Sequence, residues 1–282
     1  MIQDIFRNRD IVIATKHQKE DVIAPLLKKE LALKPFVPKG FDTDSFGTFS
    51  GEIERKADAL ETARLKCLKA MELTGCDLGI SNEGSFGVHP QIWFTQADYE
   101  IVVLIDKKNG FEFLIQEIST QTNFNGGEIK SYAQLKEFAK SVKFPSHGLI
   151  LRKAKDTNEQ VIKGIRTWKV LQETFNLFYE AYGEMYVETD MRAMHNPTRM
   201  KVIERAVTKL IKIIKTPCPK CSAPGFSIKR ATPGLPCSQC GLPTRSTLKY
   251  VYECQSCQFS NEEMFPHKKE YEEPTFCDFC NP

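Results

Sequence analysis

Four Cys-x-x-Cys pairs within residues 218–282 restrict the folding of this chain more than any other feature. They are Cys218-Pro-Lys-Cys221, Cys237-Ser-Gln-Cys240, Cys254-Gln-Ser-Cys257 and Cys277-Asp-Phe-Cys280. Two thiolates on one tight turn supply half of a tetrahedral metal site, and a second turn closes it. Fifteen residues separate the first two pairs and nineteen the last two, both within the range of ribbon-type zinc sites. A redox Cys-x-x-Cys would not need four copies. The pattern therefore predicts two closed, structural four-cysteine zinc sites. Joining the first pair to the second and the third to the fourth is simplest, and a crossed arrangement satisfies the same residues. Between the pairs, "STLKYVYE" (246–253) alternates as a strand does. Zinc here folds a tail too short to build its own core.

The 282 residues are enough for two units, and 41% apolar with 27% charged is ordinary for a soluble globular chain. The other two of the ten cysteines, Cys67 and Cys76, read as buried thiols. No apolar run reaches the roughly 18 residues of a membrane span. The first 20 residues carry charge throughout, without a signal-peptide core. A cytoplasmic location and no membrane partner are the expectations. Net charge is +3, concentrated in residues 151–217, where 13 Lys/Arg face 8 Asp/Glu. The tail balances 7 against 7, which favours a protein partner over nucleic acid.

The order of elements predicts a mixed-sheet α/β domain over 1–215, followed by a small double zinc ribbon over 216–282. Strand patterns fall at 11–14, 77–81, 91–95, 99–106, 111–118, 147–152 and 184–189. Helical spacing covers 19–33, 57–73, 131–142 and 167–181. Asn196-Pro197 offers an N-cap and a first-turn proline for a last helix ending near Ile214. Residues 38–51 and "STQTNFNGGE" (119–128) read as loops.

Three segments carry candidate chemistry. Thr15, His17 and Lys19 follow the first strand at a helix start, where backbone N–H groups and a lysine suit phosphate. A solvated, Thr-capped turn accounts for the same residues. Glu83 lies in "CDLGISNEGSFG" (76–87), read as a strand running into a Gly-rich loop, where α/β sheets hold ligands. It suits a Mg²⁺ ligand or a base toward water, or a loop carboxylate capping backbone N–H groups. In "VETDMRAMHNPTR" (187–199), Glu188 and Asp190 are two apart, with Arg192, His195 and Arg199 close behind. That set suits a metal–phosphate group or a salt-bridged connector.

Thr15-x-His17-x-Lys19 resembles the T-x-N-x-x-K phosphate loop of the inosine/xanthosine triphosphatase (house-cleaning NTP pyrophosphatase) superfamily. Glu61-Thr62-Ala63 with Lys66 and Lys69-Ala70 is similar to that superfamily's helix, which contributes a metal-binding acid. "CDLGISNEGSFG" resembles its next strand and acidic loop, which implies a metal or base role for Glu83. Ser146-His147 resembles its nucleobase-contacting S-H-R loop. The likeness spans about 1–150 and departs in three places: His17 stands for Asn, the lysine comes one step early, and Gly148 stands for Arg. It implies Mg²⁺-dependent cleavage of nucleoside triphosphates. The longer pattern resembles an uncharacterised bacterial family, a domain of unknown function with a C-terminal double zinc ribbon. That pattern runs from "VIATKHQKEDVIAPLL" through "GTFSGEIER", "ELTGCDLGISNEGSFGVHP", "TNFNGGEIKS", "FPSHGLILRK" and "DMRAMHNPTRMKVIE" to "CDFCNP". This likeness implies the architecture and no activity.

The expectation is a Mg²⁺-dependent hydrolase of a nucleotide or related phosphate, with Glu83, Glu188 and Asp190 catalytic. Thr15, His17, Lys19, Ser146, His147, Arg192, His195 and Arg199 would hold substrate. Two zinc ions bind Cys218, Cys221, Cys237, Cys240, Cys254, Cys257, Cys277 and Cys280. The alternative is a non-catalytic nucleotide-sensing, or protein- or nucleic-acid-binding, zinc-ribbon protein.

Overall fold

The alternation Ile11-Val12-Ile13-Ala14, buried on both parities, makes β1 (Asp10–Ala14) a central strand with both faces covered. A computed structural model of the chain describes residues 2–41 and 58–282; most of the 38–51 loop and all of "GTFSGEIER" lie outside the described residues. After a short α1 (Ile2–Phe6) and β1, the chain runs through α2 (Glu20–Leu31), β2 (Lys34–Phe36) and α3 (Ala59–Thr74) to β3 (Leu78–Val88). β4 (Gln96–Asp106) and β5 (Phe111–Ser119) follow as antiparallel neighbours. The sheet order is β2-β1-β3-β4-β5, with β1 parallel to both β2 and β3.

A second, antiparallel sheet is ordered β6-β9-β7-β8. Its strands are β6 (Gly126–Ile129), β7 (Leu149–Arg152), β8 (Val161–Ile165) and β9 (Met185–Thr189). The helices α4 (Tyr132–Ser141) and α5 (Trp168–Tyr182) supply Leu135, Ala139, Leu171, Phe175 and Phe178 to its core. α6 (Pro197–Ile214) then leads into the strands of the cysteine-rich tail, β10 (Ser227–Pro233), β11 (Thr247–Glu253) and β12 (Ser260–Met264). The chain divides into two compact units, Phe6–Leu210 and Met1–Ile5 with Ile211–Pro282. The mixed α/β class expected from the element order is the observed one.

Local chemistry explains the helix ends. Asp58 caps α3 by accepting from Glu61 N, and Gly75 closes it in the left-handed region. Thr167 and Gly183 do the same for α5. Asn196 caps α6, its Oδ1 accepting from Arg199 N at 3.0 Å.

Two expectations are corrected. The segment from Asn82 to Val88 is strand, not Gly-rich loop: each residue from Leu78 to Val88 has a partner on β4. Glycines and small polar residues mimic a loop in composition, yet β4 supplies a continuous antiparallel ladder, whose hydrogen bonds at alternate residues hold the segment extended. Conversely, 91–95 is the turn joining β3 to β4. His89 Nδ1 accepts from the N–H groups of Gln91 and Ile92, each at 3.1 Å, and this folds the turn and leaves Trp93 80% exposed. Sequence patterning also missed the short strands β2, β6 and β8.

α3 sits on β3 where no side chain intervenes. A Cβ at Gly79 would fall 2.6 Å from Met71 Cγ and 2.9 Å from Cys67 Sγ. Gly79→Ala is expected to destabilise the chain by about 1–3 kcal/mol, read as a lower urea midpoint at unchanged m-value. An unchanged midpoint would show that this helix and strand do not approach so closely.

Candidate functional site

β1 is flanked by β2 on one side and β3 on the other, so the crossovers through α2 and α3 depart in opposite directions. Right-handed crossovers then place α2 and α3 on opposite faces of the sheet. Val12, Ala14 and Val103 pack with Ala63, Cys67, Ala70 and Met71 on the α3 face. β1 ends at Ala14, opposite Ser81, while β3 continues to Val88, so a crevice opens at the carboxyl end of β1, where open α/β sheets hold ligands.

Charged side chains converge there in spite of burial. Lys19, 7% exposed, donates from Nζ to the Asn82 carbonyl at 3.0 Å. Lys66 on α3 donates to Glu83 Oε1 at 2.5 Å. On the other face of β3, Asn82 Nδ2 donates to Glu100 Oε2 at 2.9 Å, and Arg199 Nε to Glu100 Oε1 at 2.6 Å. A Cβ at Gly84 would collide with Arg199 Nη2 and lie 2.7 Å from Glu100 Oε1. Gly84 is thus required by the guanidinium crossing it and not by a turn.

Burial, followed by the charge of Arg199, lowers the Lys19 pKa to about 8. Burial opposes ionisation of Glu100, but Arg199, Lys19 and Asn82 outweigh it and hold its pKa below the usual range. Burial and then the charge of Glu100 push Asp98, two residues away on β4, up to about 8.

The loop after β1 reaches Lys19 through an unusual backbone. His17 and Gln18 are both left-handed, with φ of 68° and 61°. Asn and His are among the residues enriched in that region, so histidine fits where the resembled motif carries Asn. The Thr15 hydroxyl donates to the Lys16 carbonyl at 3.1 Å.

Arg199 is aimed by the start of α6. Its Nη1 donates to the Met191 carbonyl at 2.6 Å, and its guanidinium lies 5.1 Å from the Phe86 ring centroid. His147 Nε2 accepts from Thr198 N at 3.3 Å and meets Thr198 Oγ1 at 2.9 Å. Ser146 Oγ donates to the Lys143 carbonyl at 2.6 Å and so accepts from His147 Nδ1 at 2.9 Å. The ring is the neutral Nδ1–H tautomer, consistent with burial lowering its pKa. Ser146 and His147 thus cap α6.

The remaining predicted residues gather around β9. Arg192 forks onto Asp190 at 2.9 and 2.6 Å, and Gly164 N donates to the same carboxylate at 3.1 Å. His195 Nε2 stands 3.9 Å from Asp190 Oδ2. Glu188 pairs with Arg152. Gly148 could not be the expected arginine, because any Cβ there would lie 2.9 Å from His195 Cβ. The fold brings Lys19, Glu83 and Arg199 near the end of β1 and sets Glu188 and Asp190 in ion pairs with Arg152 and Arg192, with His195 beside Asp190. Lys66, Asn82, Asp98 and Glu100 were missed. Lys66 falls on the stripe Thr62, Ala63, Lys66, Cys67, Ala70, which was a legible sign of burial.

The cysteines form two clusters, Cys218/Cys221/Cys254/Cys257 and Cys237/Cys240/Cys277/Cys280, with all sulfurs in a cluster within 4.8 Å. The first pair joins the third and the second joins the fourth, so the simplest pairing is corrected to the crossed one. The reason is the meander β10-β11-β12, whose antiparallel strands return alternate pairs to the same end of the sheet. Closest Sγ–Sγ separations are 3.6 to 3.8 Å. Zn–S bonds of about 2.3 Å give a tetrahedron edge of about 3.8 Å, so the donor set fits zinc. Backbone N–H groups of Lys220 and Gln239 point at Cys218 and Cys237 sulfur, both at 3.4 Å, which favours thiolate.

A family model described as a domain of unknown function (DUF6671) matches residues 66–282. No curated protein matches the chain. The matched span holds Lys66, Glu83, Glu100, Arg199 and all eight knuckle cysteines; Lys19 precedes it.

Elemental analysis is expected to find two zinc ions per chain. Cys218→Ser with Cys254→Ser should cost one zinc, whereas Cys218→Ser with Cys237→Ser should cost both. Equal losses from the two double variants would overturn the crossed pairing.

Proposed function

We propose, for a chain that belongs to this family of unknown function, that the Phe6–Leu210 unit binds and hydrolyses a nucleotide or related phosphate with Mg²⁺, while its two-metal tail is structural. The single observation that carries the reading is that three cations gather where β3 runs past the end of β1: Lys19 on the Asn82 carbonyl, Lys66 with Glu83 on the α3 face, and Arg199 with Glu100 on the opposite face. Lys66 and Arg199 pair with Glu83 and Glu100, so the net positive charge offered to a phosphate is that of Lys19, which meets a neutral carbonyl.

The donor chemistry suits Mg²⁺. Glu83, 6% exposed, offers a carboxylate on the α3 face. Mg²⁺ is commonly held by one or two such groups plus substrate phosphate and water. When bound, the ion would neutralise phosphate charge and acidify a water. Lys66 pins Glu83 in one orientation. Lys19 and Arg199 hold the phosphate, and Arg199 is itself held by Glu100 and the Met191 carbonyl. A sensing module that binds without turnover is the second reading, favoured by the ion pairs that Lys66 and Arg199 already make.

The test is a thermal-shift and calorimetric screen of the zinc-loaded protein against nucleoside mono-, di- and triphosphates with and without Mg²⁺, followed by phosphate and pyrophosphate release. A Mg²⁺-dependent shift with release is expected. Lys19→Met should weaken binding about tenfold or more, the worth of one charged hydrogen bond. Glu83→Gln should reduce turnover by about 10²-fold and weaken the Mg²⁺-dependent part of binding. Affinity should fall as pH rises past about 8, because Lys19 then loses its proton. Binding without release would establish the sensing module, and no shift with any ligand would overturn both.

A further inference from the structure

Two buried acids on β4 are treated unequally. Glu100 accepts from Arg199 Nε on Oε1 and from Asn82 Nδ2 on Oε2. Asp98 is 1% exposed, and neither of its oxygens meets a hydrogen-bond donor.

The groups facing Asp98 explain why. On its own strand stands Glu100. From β5 come Ser119, opposite Asp98 in register, and Glu117, opposite Glu100. From β3 comes Phe86. α6 brings Arg199 to Glu100 and Met191, and Arg205 to Ser119 at 3.0 Å and Glu117 at 3.5 Å. Lys19 reaches the Asn82 carbonyl. None of these cations is directed at Asp98. A carboxylate buried without a donor is strongly unfavourable, whereas a carboxylic acid carries its own donor. The acceptor beside it is Glu100, two residues on along the same face of β4.

We infer that Asp98 is a carboxylic acid whose proton is shared with Glu100, and that this proton positions Glu100 to hold Arg199. The inference rests on the proposed phosphate site only for what Arg199 serves there. Two ionised carboxylates against one guanidinium would repel each other, and Glu100 would leave the geometry in which it pairs with Arg199. Burial and the Glu100 charge raise the Asp98 pKa from 3.8 to about 8. Between those values the native state keeps a proton that the unfolded chain has lost. Its stability contribution therefore declines as pH rises across that window and is constant above it.

The experiment compares wild type with Asp98→Asn in the full-length, zinc-loaded protein. Infrared difference spectra should show a protonated-carboxyl carbonyl band that vanishes in Asp98→Asn, and in wild type once pH passes about 8. An amide can donate to Glu100 in place of the acid, so Asp98→Asn should fold. Its Tm relative to wild type should climb from pH 3.8 to about 8 and then level. Asp98→Leu removes the donor and should melt below Asp98→Asn at every pH in that window. If Asp98→Asn does not fold, the titration of the band in wild type alone decides.

Absence of the band, or a Tm difference that is flat with pH, overturns the inference. A missing band with a Mg²⁺-induced Tm rise in wild type but not in Asp98→Asn would assign a cation there instead. The band is read without nucleotide, so it stands or falls separately from the phosphate-binding reading.

Discussion

The ion pair between Arg199 and Glu100 is the interaction around which the larger unit is arranged. Both groups are buried, with side-chain exposures of 4% and 0%. Removing one partner of such a pair typically costs about 3–5 kcal/mol, because the other charge stays behind unpaired. Much else follows from satisfying it. Gly84 clears the path of the guanidinium, Asn82 fills the second Glu100 oxygen, and the Met191 carbonyl takes a further N–H. Asn196 and His147 cap the helix from which Arg199 departs.

The same side of β3, β4 and β5 carries more charge than one pair. Arg205 and Lys209 on α6 meet Glu117, so α6 clamps an acidic row and not a plain apolar face. Such a layer specifies register, because a one-residue slip of β4 would turn its acids toward α3. The zinc-binding strands solve the opposite problem. β12 is exposed throughout and β10 nearly so, leaving little apolar area to bury. Two four-cysteine clusters stand in its place, and metal–thiolate bonds there would replace the missing core.

Legibility varied with how local the determining physics was. The cysteine knuckles were readable as metal sites because ligand spacing within a turn is local. Their crossed pairing was not, since it depends on the strand meander between them. α3, α4, α5 and α6 were readable from apolar spacing and caps. β3 was read too short: Ser81, Asn82, Glu83 and Gly84 have loop composition, and only β4 makes them a strand. Asp98 and Glu100 escaped notice because acids at alternate strand positions ordinarily face water. Here the alternate residues Tyr99 and Ile101 are half-buried and the acids lie inside.

The sequence by itself determined the mixed α/β class, the metal-binding tail, its eight ligands and most helices, since these rest on periodicity, capping and spacing over a few residues. The tertiary structure decided which charges meet. Lys19, Lys66, Glu83, Glu100 and Arg199 span 181 positions of chain. No short-range pattern marks them as neighbours. They come together because parallel pairing of β1 with β3 and the docking of α6 bring five distant segments to the end of β1, where burial makes each charge depend on the next.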